Sequence, residues 1–346
     1  TMSEEKAPAV NSLGLTKTEY KAGASTMCKG CGHDRISEAI IQACYDLGVD
    51  GRNVLKMSGI GCSSKTPAYF LGQSMGLNST HGRMPSFATG AHLANSSMMP
   101  IGVSGDGDSA SIGMGQLVHM IRRNPKIVYI IENNGVYGLT KGQFSATADR
   151  KSPSKRGKFP REDSIDLCGL ALELGAPFVA RSFSGDKKQL VPILKAAFAF
   201  DGLAFIDVIS PCVTFNNHEG STKSYTHQKE HGVSYHDPYF VAPKEQIDIE
   251  YEEGHLQEVT LHDGSKLVLR KLDEDHNPAE IESATNLLHE TRARGEILTG
   301  LIHVDVDQPS LVEATGMTRE PLVDQVQGDL RPVNGVLQKM NDSFRI

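Results

Sequence analysis

The feature that most constrains this chain is an aspartate between two glycines at the end of an apolar run. Gly105-Asp106-Gly107 follows Pro100–Ser104, and Asn133-Asn134 follows the next apolar run, Lys126–Glu132, with 25 residues between Gly107 and Asn133. Pro100–Ser104 reads as a short strand, Ser109–Arg122 as a helix and Lys126–Glu132 as a strong strand. A glycine turn that leaves a strand and opens a helix suits an anion, because free N–H groups and a positive dipole end point at it. One reading of Gly105-x-Gly107-x-x-Ala110 is a dinucleotide fingerprint, with Glu132 as the ribose ligand. Asp106 opposes it: a carboxylate repels a diphosphate unless a cation lies between them, and Asp108 adds to the repulsion. A hard cation such as Mg²⁺ bridges carboxylate and phosphate oxygens. In a parallel sheet the two turns open at one edge, so Asp106 and Asn134 can meet on one ion. The alternative is two ordinary turns.

Other segments extend the alternation. Asp34 begins a helical pattern (Ile36, Ile40, Ile41, Cys44, Leu47) that Gly48 ends. Asn53–Ser58 reads as a strand before Gly59-Ile60-Gly61-Cys62, and Pro85–Met98 as a helix. Asp163–Leu174 and Lys187–Phe200 read as helices, Pro177–Arg181 and Ala204–Ile209 as extended. Strands alternating with helices predict an α/β fold, a mostly parallel sheet with helices on both faces. Three regions are expected: an arm over 1–25, the α/β domain over 26–236 and an irregular tail over 237–346. Residues 237–290 carry fourteen Asp or Glu against four Lys or Arg. Within the tail, Asp263-Gly264 predicts a hairpin between Glu258–His262 and Ser265–Leu269, and a helix is expected near Ala279–Thr291.

A net charge of −7 argues against nonspecific nucleic-acid binding as the main task. No run of about 18 apolar residues is present, so no membrane span is expected. The first residues hold no apolar core, so a secretory leader is not expected and a cytoplasmic location is. Under that reading, the six cysteines point to metal, redox chemistry or burial rather than to a disulfide framework. Cys44 and Cys168 fall on apolar helical faces and read as buried small hydrophobes. The other four fall in loops: Cys28 and Cys31 in Cys-Lys-Gly-Cys-Gly-His, Cys62 in Gly-Ile-Gly-Cys-Ser-Ser, and Cys212 in Ser-Pro-Cys-Val-Thr. Spacing alone leaves zinc and iron–sulfur about even.

The stretch from Gly105 to Thr140 resembles the thiamine-diphosphate motif. The resemblance implies that Asp106, the Asn134 side chain and the Val136 carbonyl hold Mg²⁺ on the diphosphate. It also places Gly105, Gly107, Asp108, Gly138 and Leu139 against the cofactor. A thiamine diphosphate beside four thiolates favours an electron-accepting [4Fe–4S] cluster over zinc, which accepts no electrons.

Taken in order, CxxCGH, GIGCSS, THGRMPSFATGAHLAN, GDGDS, NNGVYGLTKGQ and SPCVTFNN resemble the beta subunit of 2-oxoacid:ferredoxin oxidoreductases, most nearly the 2-oxoglutarate branch. They span about residues 26–220, and Met114-Gly115-Gln116 departs from the family's pattern. The resemblance implies Cys28, Cys31, Cys62 and Cys212 as cluster ligands. It further implies oxidative decarboxylation of a 2-oxoacid with coenzyme A as acyl acceptor and ferredoxin as electron acceptor, or the reverse carboxylation. Lys65, just after the Cys62 loop, reads as a partner for the second carboxylate of 2-oxoglutarate. His81 and Arg83 read as hydrogen-bond partners of substrate, and His33 as a donor beside the cluster. Residues 141–161 carry seven Lys or Arg against one Asp, a solvated loop or an attractor for acidic ferredoxin or coenzyme A phosphates. The aminopyrimidine ring needs a second α/β domain, so an alpha subunit is expected to complete the site in a dimer of alpha–beta heterodimers. Pyruvate as substrate, a non-redox thiamine-diphosphate lyase and a zinc-stabilised binding module are the alternatives.

Overall fold

A computed structural model describes residues 8–150, 160–214, 245–262, 266–326 and 335–345. Its main sheet is assembled from strands β1 (Val54–Ser58), β2 (Met75–Asn78), β3 (Met99–Gly105), β4 (Ile127–Asn133), β7 (Phe178–Phe183), β8 (Leu203–Ile209), β9 (Leu256–Thr260), β10 (Lys266–Lys271) and β11 (Ile297–Val304). The order across the sheet is β2-β1-β3-β4-β8-β7-β11-β10-β9. From β2 to β7 every pairing is parallel, so the carboxyl ends of β1, β3, β4 and β8 lie along one edge. In open α/β sheets that edge is where ligands bind. Two short strands, β5 (Val136–Tyr137) and β6 (Gln143–Phe144), form an antiparallel pair just beyond β4.

Burial on both faces explains why these strands read as continuous apolar runs rather than alternating ones. In β3, β4 and β8 only end residues escape full burial. One face packs on helices α1 (Gly32–Leu47) and α5 (Lys187–Ala199), through Ile36, Ile40, Leu190 and Leu194 against Val54, Ile101, Ile130 and Ile206. The other packs on α2 (Met84–Ala94), α3 (Met114–Arg123) and α4 (Leu167–Glu173), through Met84, Leu117, Ile121 and Leu172 against Met57, Tyr129 and Phe205. Gly48 closes α1 at φ 62°, the left-handed conformation that glycine tolerates at a helix end. Cys44 and Cys168 are fully buried in these two clusters.

Two regions depart from the sequence reading. Residues 8–25, expected as an arm, lie against α1: Tyr20 is buried, stacks edge-on with Tyr45 and accepts a hydrogen bond from Asn11 at 2.7 Å. The acidic region, expected as an irregular appendage, extends the sheet. β9 and β10 pair antiparallel as the hairpin pattern predicts, with Asp263-Gly264 itself outside the described residues. Helix α6 (Ile281–Ala293) also forms. The unforeseen element is β11, which runs antiparallel to β7 and parallel to β10. The segments flanking it in sequence are rich in Asp and Glu, and that composition masks the apolar run Ile297–Val304. Two short helices follow, α7 (Leu311–Ala314) and α8 (Val336–Ser343). The boundary expected at residue 237 lies outside the described residues. None of the described helices is long and apolar enough to cross a membrane.

Candidate functional site

A cleft of about 490 Å³ opens at the carboxyl edge of the sheet. The turns after β1, β3 and β4 converge on it: Gly61 and Cys62, Asp106 and Gly107, Asn134 and Val136 all line it. The paired turns after β3 and β4 therefore meet, as the 25-residue spacing implies.

Asp106 is 1% exposed at the tip of β3 and opens a single π-type turn, Gly107–Ile112. Its Oδ2 accepts from the hydroxyls of Ser145 and of Thr147, the latter at 2.6 Å. Its Oδ1 accepts from the Asn134 N–H at 3.4 Å. Burial pushes this carboxyl above the ordinary carboxylate range, and the hydroxyl bonds counter that only in part. A cation against Oδ1 would offset the desolvation, so the residue fits a hard-metal ligand. The Asn134 side-chain oxygen accepts from the Val136 N–H at 3.1 Å, an Asx turn that folds the chain back over the cleft.

Close approach explains two glycines. A Cβ on Gly107 would lie 2.5 Å from the Tyr137 ring, whose hydroxyl donates to the Gly107 carbonyl at 3.1 Å. A Cβ on Gly59 would lie 1.7 Å from Asp108 Oδ2. Asp108 lines the cleft, but its oxygens are taken by protein donors. Oδ1 bonds the Gly82 N–H at 2.7 Å and the His81 ring, and Oδ2 bonds Ser104 Oγ at 2.7 Å. The carboxylate thus holds the His81 loop against the β3 turn.

Four thiols surround the same edge. Cys28 and Cys31 precede α1, Cys62 opens a 3₁₀ turn (Cys62–Ala68) after β1, and Cys212 follows β8. Gly32 draws the first pair against the Cys212 loop. Its N–H bonds the Pro211 carbonyl, and an added Cβ would lie 2.7 Å from Ser210 Oγ. Burial raises the Cys31 thiol, with Cys212 adding to the rise. Burial also raises the Cys62 thiol to about 11; Cys212 and Cys28 add to the rise, whereas Lys65 opposes it. Cys212 is therefore within electrostatic reach of both Cys31 and Cys62, and Cys28 of Cys62. Among the described residues no three His, Cys, Asp or Glu side chains converge on one point, as a single ion would require. Four soft thiol donors are the ligand type that zinc and an iron–sulfur cluster both take.

Glu132 and His33 also line the cleft. Glu132 is fully buried; burial pushes its carboxyl well above the usual range, and Thr66 Oγ1 meets its two oxygens at 2.9 and 3.0 Å. His33 is pushed down to about 4 by burial, its Nδ1 meets Ser210 Oγ at 2.5 Å, and its Nε2 is 3.7 Å from Glu132. At neutral pH the pair is a neutral imidazole beside a carboxyl held toward its protonated form.

Of the residues singled out from sequence, Asp106, Gly105, Gly107, Asp108, Asn134, Val136, Gly138, Leu139, His81 and Cys62 line the cleft. Lys65, Arg83, Cys28, Cys31 and Cys212 do not: Lys65 is half-buried near Cys62, Arg83 is exposed before α2, Cys28 is exposed and Cys31 is buried. Sequence reasoning passed over Ser145 and Thr147, which fall in the basic segment 141–161. Two hydroxyls two residues apart, beyond the NN turn, were the available signal. The rest of that basic segment, 151–159, lies outside the described residues.

The family described as "Thiamine pyrophosphate enzyme, C-terminal TPP binding domain" matches residues 59–208. A 2-oxoacid:ferredoxin oxidoreductase subunit beta from Sulfolobus is 44% identical over 191 residues, 55% of this chain and 63% of that protein. The 2-oxoglutarate synthase subunit KorB of Methanocaldococcus jannaschii is 36% identical over 189 residues, 54% of this chain and 69% of that protein. The chain belongs to the 2-oxoacid:ferredoxin oxidoreductase beta-subunit family. A solved structure of 2-oxoglutarate:ferredoxin oxidoreductase from Magnetococcus marinus, with 2-oxoglutarate, coenzyme A and succinyl-CoA bound, superposes with a TM-score of 0.71. It is 25% identical and covers 96% of this chain and 97% of that one. The shared fold thus reaches past the segment matched in sequence. The chain spans 63% of the Sulfolobus relative's length.

Proposed function

We propose that this chain is the beta subunit of a 2-oxoglutarate:ferredoxin oxidoreductase, which converts 2-oxoglutarate and coenzyme A to succinyl-CoA and CO₂, or runs the reverse carboxylation. The observation that carries the reading is the meeting of buried Asp106, Asn134 and four loop thiols at one sheet edge. Bound thiamine diphosphate supplies an electron sink for decarboxylation, and a [4Fe–4S] cluster supplies one-electron transfer to ferredoxin.

The chain's own residues perform four tasks in this reading. Asp106, the Asn134 side chain and the Val136 carbonyl hold Mg²⁺, and through it the diphosphate. The N–H groups of the turn after Asp106 face the same charge. Cys28, Cys31, Cys62 and Cys212 hold the cluster. His81, fixed by Asp108, presents its other ring nitrogen to the cleft, which the Glu132–His33 pair also lines. Arg83 reads as a contact made on assembly, because it is exposed in this chain, and the acidic ferredoxin would meet the basic segment 141–161. The missing aminopyrimidine clamp belongs to an alpha subunit, in a dimer of heterodimers located in the cytoplasm.

The test is calorimetric binding of thiamine diphosphate to the reconstituted alpha–beta complex. Binding should need Mg²⁺ and should vanish in Asp106→Ala. Cofactor affinity that ignores Asp106 removes the reading. Reduction of ferredoxin with 2-oxoglutarate, and not with pyruvate, then fixes the substrate.

A further inference from the structure

Behind Asp106 runs a chain of half-buried to buried polar contacts that the reaction does not itself require. Thr147 Oγ1 lies 2.6 Å from Asp106 Oδ2 and 3.0 Å from Asn133 Oδ1. Asn133 Nδ2 donates to Asp207 Oδ1 at 3.0 Å. Asp207 Oδ2 accepts from Arg181 Nε at 2.9 Å, and Arg181 Nη2 donates to Asp166. Asp166 is itself anchored as the cap of α4, accepting from the Cys168 and Gly169 N–H groups at 3.1 and 3.2 Å.

Strand geometry builds this chain. Arg181 of β7 and Asp207 of β8 are direct cross-strand partners. Asn133 of β4 pairs with Ile209, two residues beyond Asp207 and so on the same face of β8. Asp207 is 1% exposed and Arg181 6%. Buried ion pairs cost desolvation that a well-packed apolar group of like volume avoids, so they are poor evidence for stability by itself. The charges do fix an orientation. Asp207 can only accept, so the Asn133 amide has one setting, NH₂ toward Asp207 and carbonyl toward Thr147. That carbonyl and the Asp106 carboxylate then flank the single Thr147 hydroxyl proton and define its rotor.

We propose that Arg181, Asp207 and Asn133 are positioning residues that, through Thr147 on Oδ2, aim Oδ1 of Asp106 at the diphosphate-bound cation. The inference rests on the reading of Asp106 as that cation's ligand. Residues that orient a metal ligand from behind commonly change metal affinity by roughly 10–100-fold when removed.

The experiment uses the alpha–beta complex, stripped of cofactor and titrated with Mn²⁺ by electron paramagnetic resonance at saturating thiamine diphosphate. Thr147→Val keeps the shape and loses the hydroxyl; Mn²⁺ affinity should fall by about tenfold or more, and Thr147→Ser should restore it. Asn133→Ala should weaken Mn²⁺ in the same direction. The double variant should lose no more than Thr147→Val alone, because both act along one chain. Melting of the cofactor-free Thr147→Val complex should stay at the wild-type temperature, which a merely structural role would shift. Where Asn133→Ala does not fold, Asp207→Asn takes its place in the cycle. Wild-type affinity in Thr147→Val or Asn133→Ala, or losses that simply add, overturns the proposal. Asp106→Ala runs beside them: Mn²⁺ binding that survives it removes the ligand reading, whereas its loss with an unaffected Thr147→Val removes only the positioning chain.

Discussion

Replacing Gly107 by alanine tests whether the Asp106 turn works by close packing. The new Cβ would lie 2.5, 2.6 and 2.9 Å from three carbons of the Tyr137 ring. Ordinary carbon–carbon contact is about 3.5–4.0 Å, so the ring must retreat by roughly 1 Å. Overpacking of this kind costs about 1–3 kcal/mol. Retreat also breaks the hydrogen bond from the Tyr137 hydroxyl to the Gly107 carbonyl, 3.1 Å long in the wild type and worth about 0.5–1.5 kcal/mol. Alanine returns about 0.5–1 kcal/mol of backbone entropy in a helical turn. The net loss is then about 2 kcal/mol, read by equilibrium urea denaturation. Because Tyr137 adjoins Val136 on β5, Mg²⁺-dependent thiamine diphosphate binding should weaken in the same variant. Tyr137→Ala removes the obstacle, so the double variant should be more stable than the sum of the singles by about the same 2 kcal/mol. A coupling energy near zero would refute the packing argument, since the ring would then not be what excludes a side chain at 107.

Acid stability should separate the buried pair. His33, held near 4 against an ordinary 6.5, loses folded stability as pH falls from about 6.5 to 4, because the unfolded chain binds a proton that the folded chain refuses; Glu132, raised in the folded state, acts with the opposite sign above 4.5. Glu132→Gln should therefore destabilise more steeply on acidification than the wild type, and His33→Asn should stabilise; parallel curves for all three remove the argument. Protein prepared without oxygen should carry about four iron and four sulfide per chain, retained in Cys44→Ala and Cys168→Ala and lost in Cys28→Ala, Cys31→Ala, Cys62→Ala or Cys212→Ala; stoichiometric zinc without sulfide would refute this. Lys65→Ala should lower the kcat/KM preference for 2-oxoglutarate over pyruvate by about tenfold, one charge-assisted hydrogen bond; an unchanged ratio removes Lys65 from specificity.

Much of the α/β half was legible because parallel strands buried on both faces are continuous apolar words, such as Ile127–Ile131, punctuated by glycine turns. The meeting of Asp106 with Asn134 followed from topology alone, since parallel strands put both turns at one edge. β2 escaped notice because its residues Met75–Asn78 are mostly exposed at the sheet margin and carry no alternation. The helix expected over Ser109–Arg122 hid the π turn at Gly107–Ile112, which periodicity does not distinguish from an α turn. Thr147 and Asn133 were out of reach for another reason. Their importance lies in a contact chain through Asp207 and Arg181, far apart in sequence and set by register. Charge counting was the least informative guide: it marked 237–346 as a loose tail around one hairpin and one helix, whereas β11 and that hairpin extend the main sheet.

The antiparallel docking of β11 on β7 has a consequence for how the chain is made. β7 ends at residue 183 and its partner begins at residue 297, so more than a hundred residues must be synthesised before that contact can form. During elongation the first six strands of the sheet can assemble near the ribosome, with β7 as a bare margin. All six side chains of Phe178–Phe183 are buried in the finished fold, and an unpaired strand margin invites pairing with another copy. A transcript truncated before residue 297 should thus yield a chain that forms its cofactor half yet aggregates through β7. The acidic residues around β9 and β10 then gain a second role: they replace a sticky growing margin with a charged outer rim once synthesis is complete.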